Sequence, residues 1–107
     1  MFTAFLTGNL GSDPTYDRTK NEVPRARFRM AVNMGKDKEA VWYNVTIFGK
    51  GAEALALALP LKGTRVVVRT NTPISGRPYS DKFGEMKVAL DLDADWIEVQ
   101  RPAKDEG

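Results

Sequence analysis

Two aromatic side chains occupy positions where an amphipathic strand would be polar. Along residues 41–48, Val41, Tyr43, Val45 and Ile47 share one parity of a period-two pattern, and Trp42, Asn44, Thr46 and Phe48 share the other. The first set forms an apolar face. The second interleaves two rings with hydrogen-bonding side chains, whereas a strand's solvent face normally lacks large rings. Planar rings beside cations suit the stacking of unpaired nucleobases, because every base has a π-face and each stacked base contributes about 1–3 kcal/mol. A face buried in both a barrel and a subunit interface would give the same pattern, and this strand alone does not separate the two. Cations stand close by in sequence. In residues 25–34, Arg25, Arg27 and Arg29 fall on the odd positions, opposite the apolar Ala26, Phe28, Met30, Val32 and Met34. Whether this basic stripe and the rings share a surface depends on strand register.

The elements that must position these residues are mostly strands. Phe2, Ala4, Leu6 and Leu10 alternate with Thr3, Thr7 and Asn9 before Gly8, Gly11, Asp13 and Pro14 break the run. Strands over 25–34 and 40–48 flank the polar link Gly35-Lys36-Asp37-Lys38-Glu39, a short hairpin loop. Residues 52–59 change period. Ala52, Leu55, Ala56 and Leu59 lie at helical spacing, and Pro60 and Gly63 end the helix. A fourth strand is expected over 65–72, a long loop over 73–84 with two prolines and two glycines, and a last strand from about residue 85. In that last strand Val88, Leu90, Leu92, Ala94 and Trp96 alternate with Asp91, Asp93 and Asp95, which assigns Trp96 to the core or an interface. Three strands, a short helix and two more strands is the element order of an all-β OB-fold, a five-stranded Greek-key barrel with one helix between strands 3 and 4. Ubiquitin-like and SH3-like folds are the rivals, and the placement of the helix disfavours both.

Composition sets the outer limits. The chain has 107 residues, 42% hydrophobic and 28% charged, which suits one soluble domain over residues 1–100 and a short polar tail over 101–107. A domain of this size buries only about two-thirds of its unfolded surface, so self-association would add stability. It contains no cysteine and no histidine. Disulfides, thiolate nucleophiles, imidazole bases and Cys/His zinc sites are thereby excluded. The formal charge of +2 conceals an asymmetry. Residues 1–90 carry 14 Lys and Arg against 8 Asp and Glu, and residues 91–107 carry 2 against 6. A basic body with an acidic end suits a polyanionic partner. With no signal peptide or apolar span in the sequence, a cytoplasmic, nucleoid-associated location is expected.

Other motifs are weaker. Gly49-Lys50-Gly51 lacks the spacing of a phosphate-binding loop and reads as a strand-to-helix turn. Asp91-Leu92-Asp93-Ala94-Asp95 has Trp96 where a calcium loop needs glycine, so the aspartates are expected on a solvent face away from any nucleic-acid groove. Asn44-Val45-Thr46 matches a glycosylation sequon without a secretory context. No residue spacing supports an enzyme, and no cofactor, metal or small-molecule substrate is expected.

Several segments together resemble the bacterial single-stranded DNA-binding protein family. They are Leu6-Thr7-Gly8-Asn9-Leu10-Gly11 followed by Asp13-Pro14, the strand from Phe28 to Val32, the block Trp42-Tyr43-Asn44-Val45-Thr46-Ile47-Phe48-Gly49-Lys50 with Ala52-Glu53, and Lys62-Gly63-Thr64-Arg65-Val66. The similarity extends over about residues 4–99. It implies an OB-fold that assembles as a homo-oligomer, a tetramer rather than a dimer, and wraps single-stranded DNA without sequence preference during replication, recombination and repair. RNA is a second polymer to consider. By motif position Trp42 and Phe48 match stacking aromatics, Tyr79 falls near another in the family's long loop, and Lys50 and Lys62 match basic positions along the backbone path. Phosphate contacts are expected from a subset of Arg25, Arg27, Arg29, Lys36, Lys38, Lys50, Lys62, Arg77 and Lys82.

The chain also departs from the family pattern. The 35–39 loop is short, residues 70–78 run about two residues longer than usual, and Asp105-Glu106-Gly107 stands where typical members continue into a long acidic tail that recruits proteins. These departures leave open a binding core without recruitment, a specialised relative or a shortened chain. An OB-fold adaptor that acts through protein contacts is the alternative function.

Overall fold

The computed structural model describes residues 1–100; the polar tail expected over 101–107 lies outside the described residues. Eight strands and one helix follow in the order β1 (Ala4–Leu10), β2 (Thr15–Arg18), β3 (Pro24–Val32), β4 (Val41–Phe48), α1 (Lys50–Ala58), β5 (Arg65–Thr70), β6 (Ser75–Ser80), β7 (Met86–Ala94) and β8 (Trp96–Gln100). The sheet runs β6-β7-β4-β3-β1-β5-β8, with β2 added to β3. All pairings are antiparallel except that of β4 with β7.

Alternation fills the interior. Ala26, Phe28 and Met30 of β3, Val45 and Ile47 of β4, Val66 and Val68 of β5, and Leu92 and Ala94 of β7 point to one side and form the core. Helix α1 closes it, burying Ala52 and Leu55 against the strands. The helix starts after Gly49, whose φ of 69° is glycine-compatible. It ends at Leu59, a left-handed residue whose N–H bonds the Leu55 carbonyl, just before buried Pro60. The Tyr16 hydroxyl also donates to the Leu55 carbonyl at 3.4 Å, tying β2 to the helix.

Strand β1 changes partners along its length. Residues from Ala4 to Asn9 pair with β5, while Asn9 and Leu10 pair with β3. The changeover falls at buried Gly8, where a Cβ would lie 2.4 Å from the Ala31 carbonyl oxygen and 2.8 Å from Met30 Cγ. Glycine is required there because backbone approaches backbone.

The all-β class agrees with the sequence, but eight strands replace the five expected, for local reasons. β2 is four exposed residues directly after Asp13-Pro14, too short to show a period. β6 lies within the expected 73–84 loop. All six of its residues are exposed and it carries Gly76 and Pro78, which an edge strand tolerates. The expected last strand is broken at Asp95, whose N–H bonds the Arg69 carbonyl. The break restarts the alternation, so Ile97 and Val99 pack on the core while Trp96 turns outward, 37% exposed, and meets Phe5 edge-to-face at 6.2 Å.

Gly8→Ala is therefore expected to destabilise the fold by about 1–3 kcal/mol, since its Cβ meets backbone that cannot rotate away. A urea unfolding midpoint equal to wild type would contradict this.

Candidate nucleic-acid interface

Register brings the sequence-predicted residues together. Opposed residues on neighbouring strands project from the same side of a sheet. Across β3 and β4, Arg25 pairs with Phe48, Arg27 with Thr46, Arg29 with Asn44 and Ala31 with Trp42. Across β4 and β7, Asn44 pairs with Asp91. Across β7 and β6, Arg77 pairs with Ala89 and Tyr79 with Lys87. The arginine stripe, both rings of β4, and Arg77 and Tyr79 of β6 thus share the outer face of four consecutive strands. Trp42, Phe48 and Tyr79 are 43%, 44% and 42% exposed, so none of the three is a core ring.

Between Trp42 and Tyr79 lies an open hollow of about 340 Å³, lined by Arg29, Asn44, Arg77 and Val88 as well as the two rings. A second, of about 300 Å³, lies on the other side of Arg29 and is lined by Thr15, Arg27, Asn44 and Thr46 among others. Arg29 and Asn44 belong to both and form the saddle between them. The Arg29 guanidinium carbon lies 4.4 Å from the Trp42 ring centroid, a cation–π contact. The indole also packs against Gly11, whose own N–H bonds the Arg29 carbonyl at 2.7 Å.

Carboxylates hold the other arginines. Arg25 donates to Asp17 from Nε (2.9 Å) and Nη2 (2.6 Å), and Arg27 reaches the same carboxylate at 3.3 Å. Arg77 donates to Asp91 from Nε (2.9 Å) and Nη2 (3.2 Å), and Asn44 Nδ2 donates to Asp91 at 3.2 Å. The hydrogen bonds from Arg25 hold the Asp17 carboxyl below the usual carboxylate range, and those from Arg77 do the same for Asp91. The expectation that the aspartates of 91–95 mark a surface away from the groove is thus corrected. Asp91 bonds two residues that line the first hollow, because its outward parity in β7 faces Asn44 of β4. Asp95 belongs elsewhere, bonded to Arg69 and Asn71.

The five lysines expected to contact phosphate do not line these hollows. Lys36 and Lys38 are exposed in the loop after β3, at the Trp42 end of the face. Lys50 is exposed at the start of α1, beyond the Phe48 end. Lys62 is exposed in a turn whose backbone N–H bonds Asp13 Oδ1 at 2.7 Å. Lys82 lies in the β6–β7 connection with Nζ 5.3 Å from the Phe83 ring centroid. Lys87, opposite Tyr79, and the wall residue Thr15 were not singled out in the sequence. Lys87 alternates with Val88 and Leu90, and that parity was the available signal; its pairing with Tyr79 depended on the unseen β6.

A Cβ on Gly11 would stand 2.2 Å from Trp42 Cζ3, so the indole must move by about an ångström or more to regain an ordinary contact near 3.5 Å. In a Trp96→Phe background, Gly11→Ala is expected to shift the Trp42 emission maximum and its quenching by acrylamide, with little change in unfolding midpoint. An unchanged emission spectrum would place the ring away from Gly11.

The ordered segments and the ringed, arginine-rich face meet one independent comparison, which spans nearly the whole chain. Residues 1–101 match the single-strand binding protein family, and the chain belongs to that family of OB-fold proteins that bind single-stranded DNA.

Proposed function

We propose that the outer face of β3, β4, β7 and β6 binds single-stranded DNA with little sequence preference, stacking bases on Trp42, Tyr79 and Phe48 and taking phosphates on nearby cations. The observation that carries this reading is the first hollow, where two half-exposed rings and two arginines surround a space open to solvent. Stacking accepts any base, so selectivity for single strands needs no base-reading contact: duplex bases are already stacked and cannot lie against a ring. Arg25, Arg27, Arg29 and Arg77 share the face of the rings, Lys87 stands opposite Tyr79, and Lys36, Lys38, Lys50, Lys62 and Lys82 extend the positive field beyond the hollows. The reading places the protein among those that protect single strands in replication, recombination and repair. Single-stranded RNA presents the same ring faces and phosphates, and competition by oligo-rU measures that preference.

The stretch of the outer surface carried by β1, β5 and β8 supports self-association. Phe5 of β1, Arg69 of β5 and Trp96 of β8 are register partners, and the two rings are exposed beside the Arg69–Asp95 ion pair. Covering them in a homo-oligomer, a tetramer rather than a dimer, would offset the small core of a chain this size. Native mass measurement is expected to give four chains, and a monomeric mass at micromolar concentration would contradict this. Among the described residues, no helix is long and apolar enough to cross a membrane.

In the Trp96→Phe background, oligo-dT is expected to quench Trp42 fluorescence. The logarithm of affinity should fall with the logarithm of salt concentration, with a slope of about −0.7 per phosphate neutralised. Trp42→Ala is expected to weaken binding by about 1–3 kcal/mol while the unfolding midpoint holds. Absence of quenching at low salt would favour a protein-binding adaptor, and loss of folding in Trp42→Ala would make the ring structural.

A further inference from the structure

Three of the four arginines on the binding face are already bonded to carboxylates. Arg25 and Arg77 each present the Nε–Nη2 edge of the guanidinium as a two-pronged fork, to Asp17 and Asp91 respectively. That edge is also the one that matches two oxygens of a phosphate. Asp17 is shared with Arg27, so one carboxylate draws on two cations. The fourth, Arg29, lies over the Trp42 ring.

We infer that Asp17 and Asp91 are intramolecular stand-ins for phosphate, so that single-stranded DNA binds this face by anion exchange and the two aspartates set its affinity and salt dependence. The inference rests on the reading that this face binds single strands. When a phosphate takes an arginine fork, the displaced carboxylate returns to water and gathers a cation, which partly cancels the counterion released from the DNA. Each exchange swaps one charge-assisted fork for another, and the freed carboxylate repels the strand beside it. Arg25, Arg27 and Arg77 therefore contribute less to affinity than their charge suggests. A single anion gains little from such a swap, whereas a polymer that also delivers bases to Trp42 and Tyr79 carries the exchange through. The face thereby prefers polynucleotide to free phosphate or nucleotide. The exposure of both carboxylates, 41% for Asp17 and 37% for Asp91, lets them turn away without being left buried and unpaired.

The test compares oligo-dT binding by wild type, Asp17→Asn, Asp91→Asn and Asp93→Asn over a salt series. Asp93 lies on the same strand as Asp91 and is exposed, with no ion pair among the described residues, so its variant reports loss of charge alone. Asp17→Asn and Asp91→Asn are each expected to bind about two- to fivefold tighter at low salt, with a steeper salt slope, and Asp93→Asn to change less than either. The gain in Asp91→Asn should disappear when Arg77→Gln is added. Unchanged or weaker binding in both variants, or an equal gain in Asp93→Asn, would overturn the inference. Serine at either position repeats the measurement should an asparagine variant fold poorly. Wild type that does not bind oligo-dT would overturn the functional reading itself.

Discussion

A slip of one residue between β3 and β4 would undo both the core and the ringed, arginine-rich face. In the observed register Phe28 pairs with Val45 and Ala26 with Ile47 inside, while Arg29 pairs with Asn44 and Arg25 with Phe48 outside. Because side chains alternate, burial of the apolar set dictates where the arginines and rings must stand. Burying Met30, Ile47, Val45 and their neighbours therefore positions the outward arginines and rings as well. The hydrophobic effect thereby decides which side of the sheet each of these groups faces. The parallel pairing of β4 with β7 carries the same logic outward, and the β6–β7 hairpin brings Arg77 and Tyr79 alongside Trp42.

On that face, nearly every functional group has an internal partner. Trp42 has Arg29 and Gly11, Arg25 and Arg27 have Asp17, and Arg77 has Asp91. Such pairing keeps long side chains ordered near the positions where they would be used, which lowers the entropy lost on binding. It also lowers the net positive charge of the face. Single exposed ion pairs of this kind are weak, so each can be broken at small cost.

Much of this was legible in the sequence because period-two patterns are long in β3 and β4. The apolar and basic parities of 25–34 and the mixed parity of 41–48 survive in the structure almost unaltered. The edge strands were not legible. β6 buries nothing, so no hydrophobic period marks it, and its proline and glycine point to a loop. Trp96 does not join the core with Leu90 and Leu92 because parity does not carry through Asp95, where backbone bonding to β5 resets it. Asp91 was misplaced because a parity rule gives the face of a residue but not its cross-strand neighbour. The partnership of Asp17 with Arg25 likewise depends on β2, too short to announce itself.

The most direct measurement is an NMR map of the aromatic ring protons with and without oligo-dT. Ring currents from stacked bases should shift Trp42, Phe48 and Tyr79 and leave Phe5 and Trp96, on β1 and β8, close to their free positions. Shifts concentrated on Phe5 and Trp96, with Trp42 and Tyr79 unmoved, would show that the strand lies elsewhere and contradict the account.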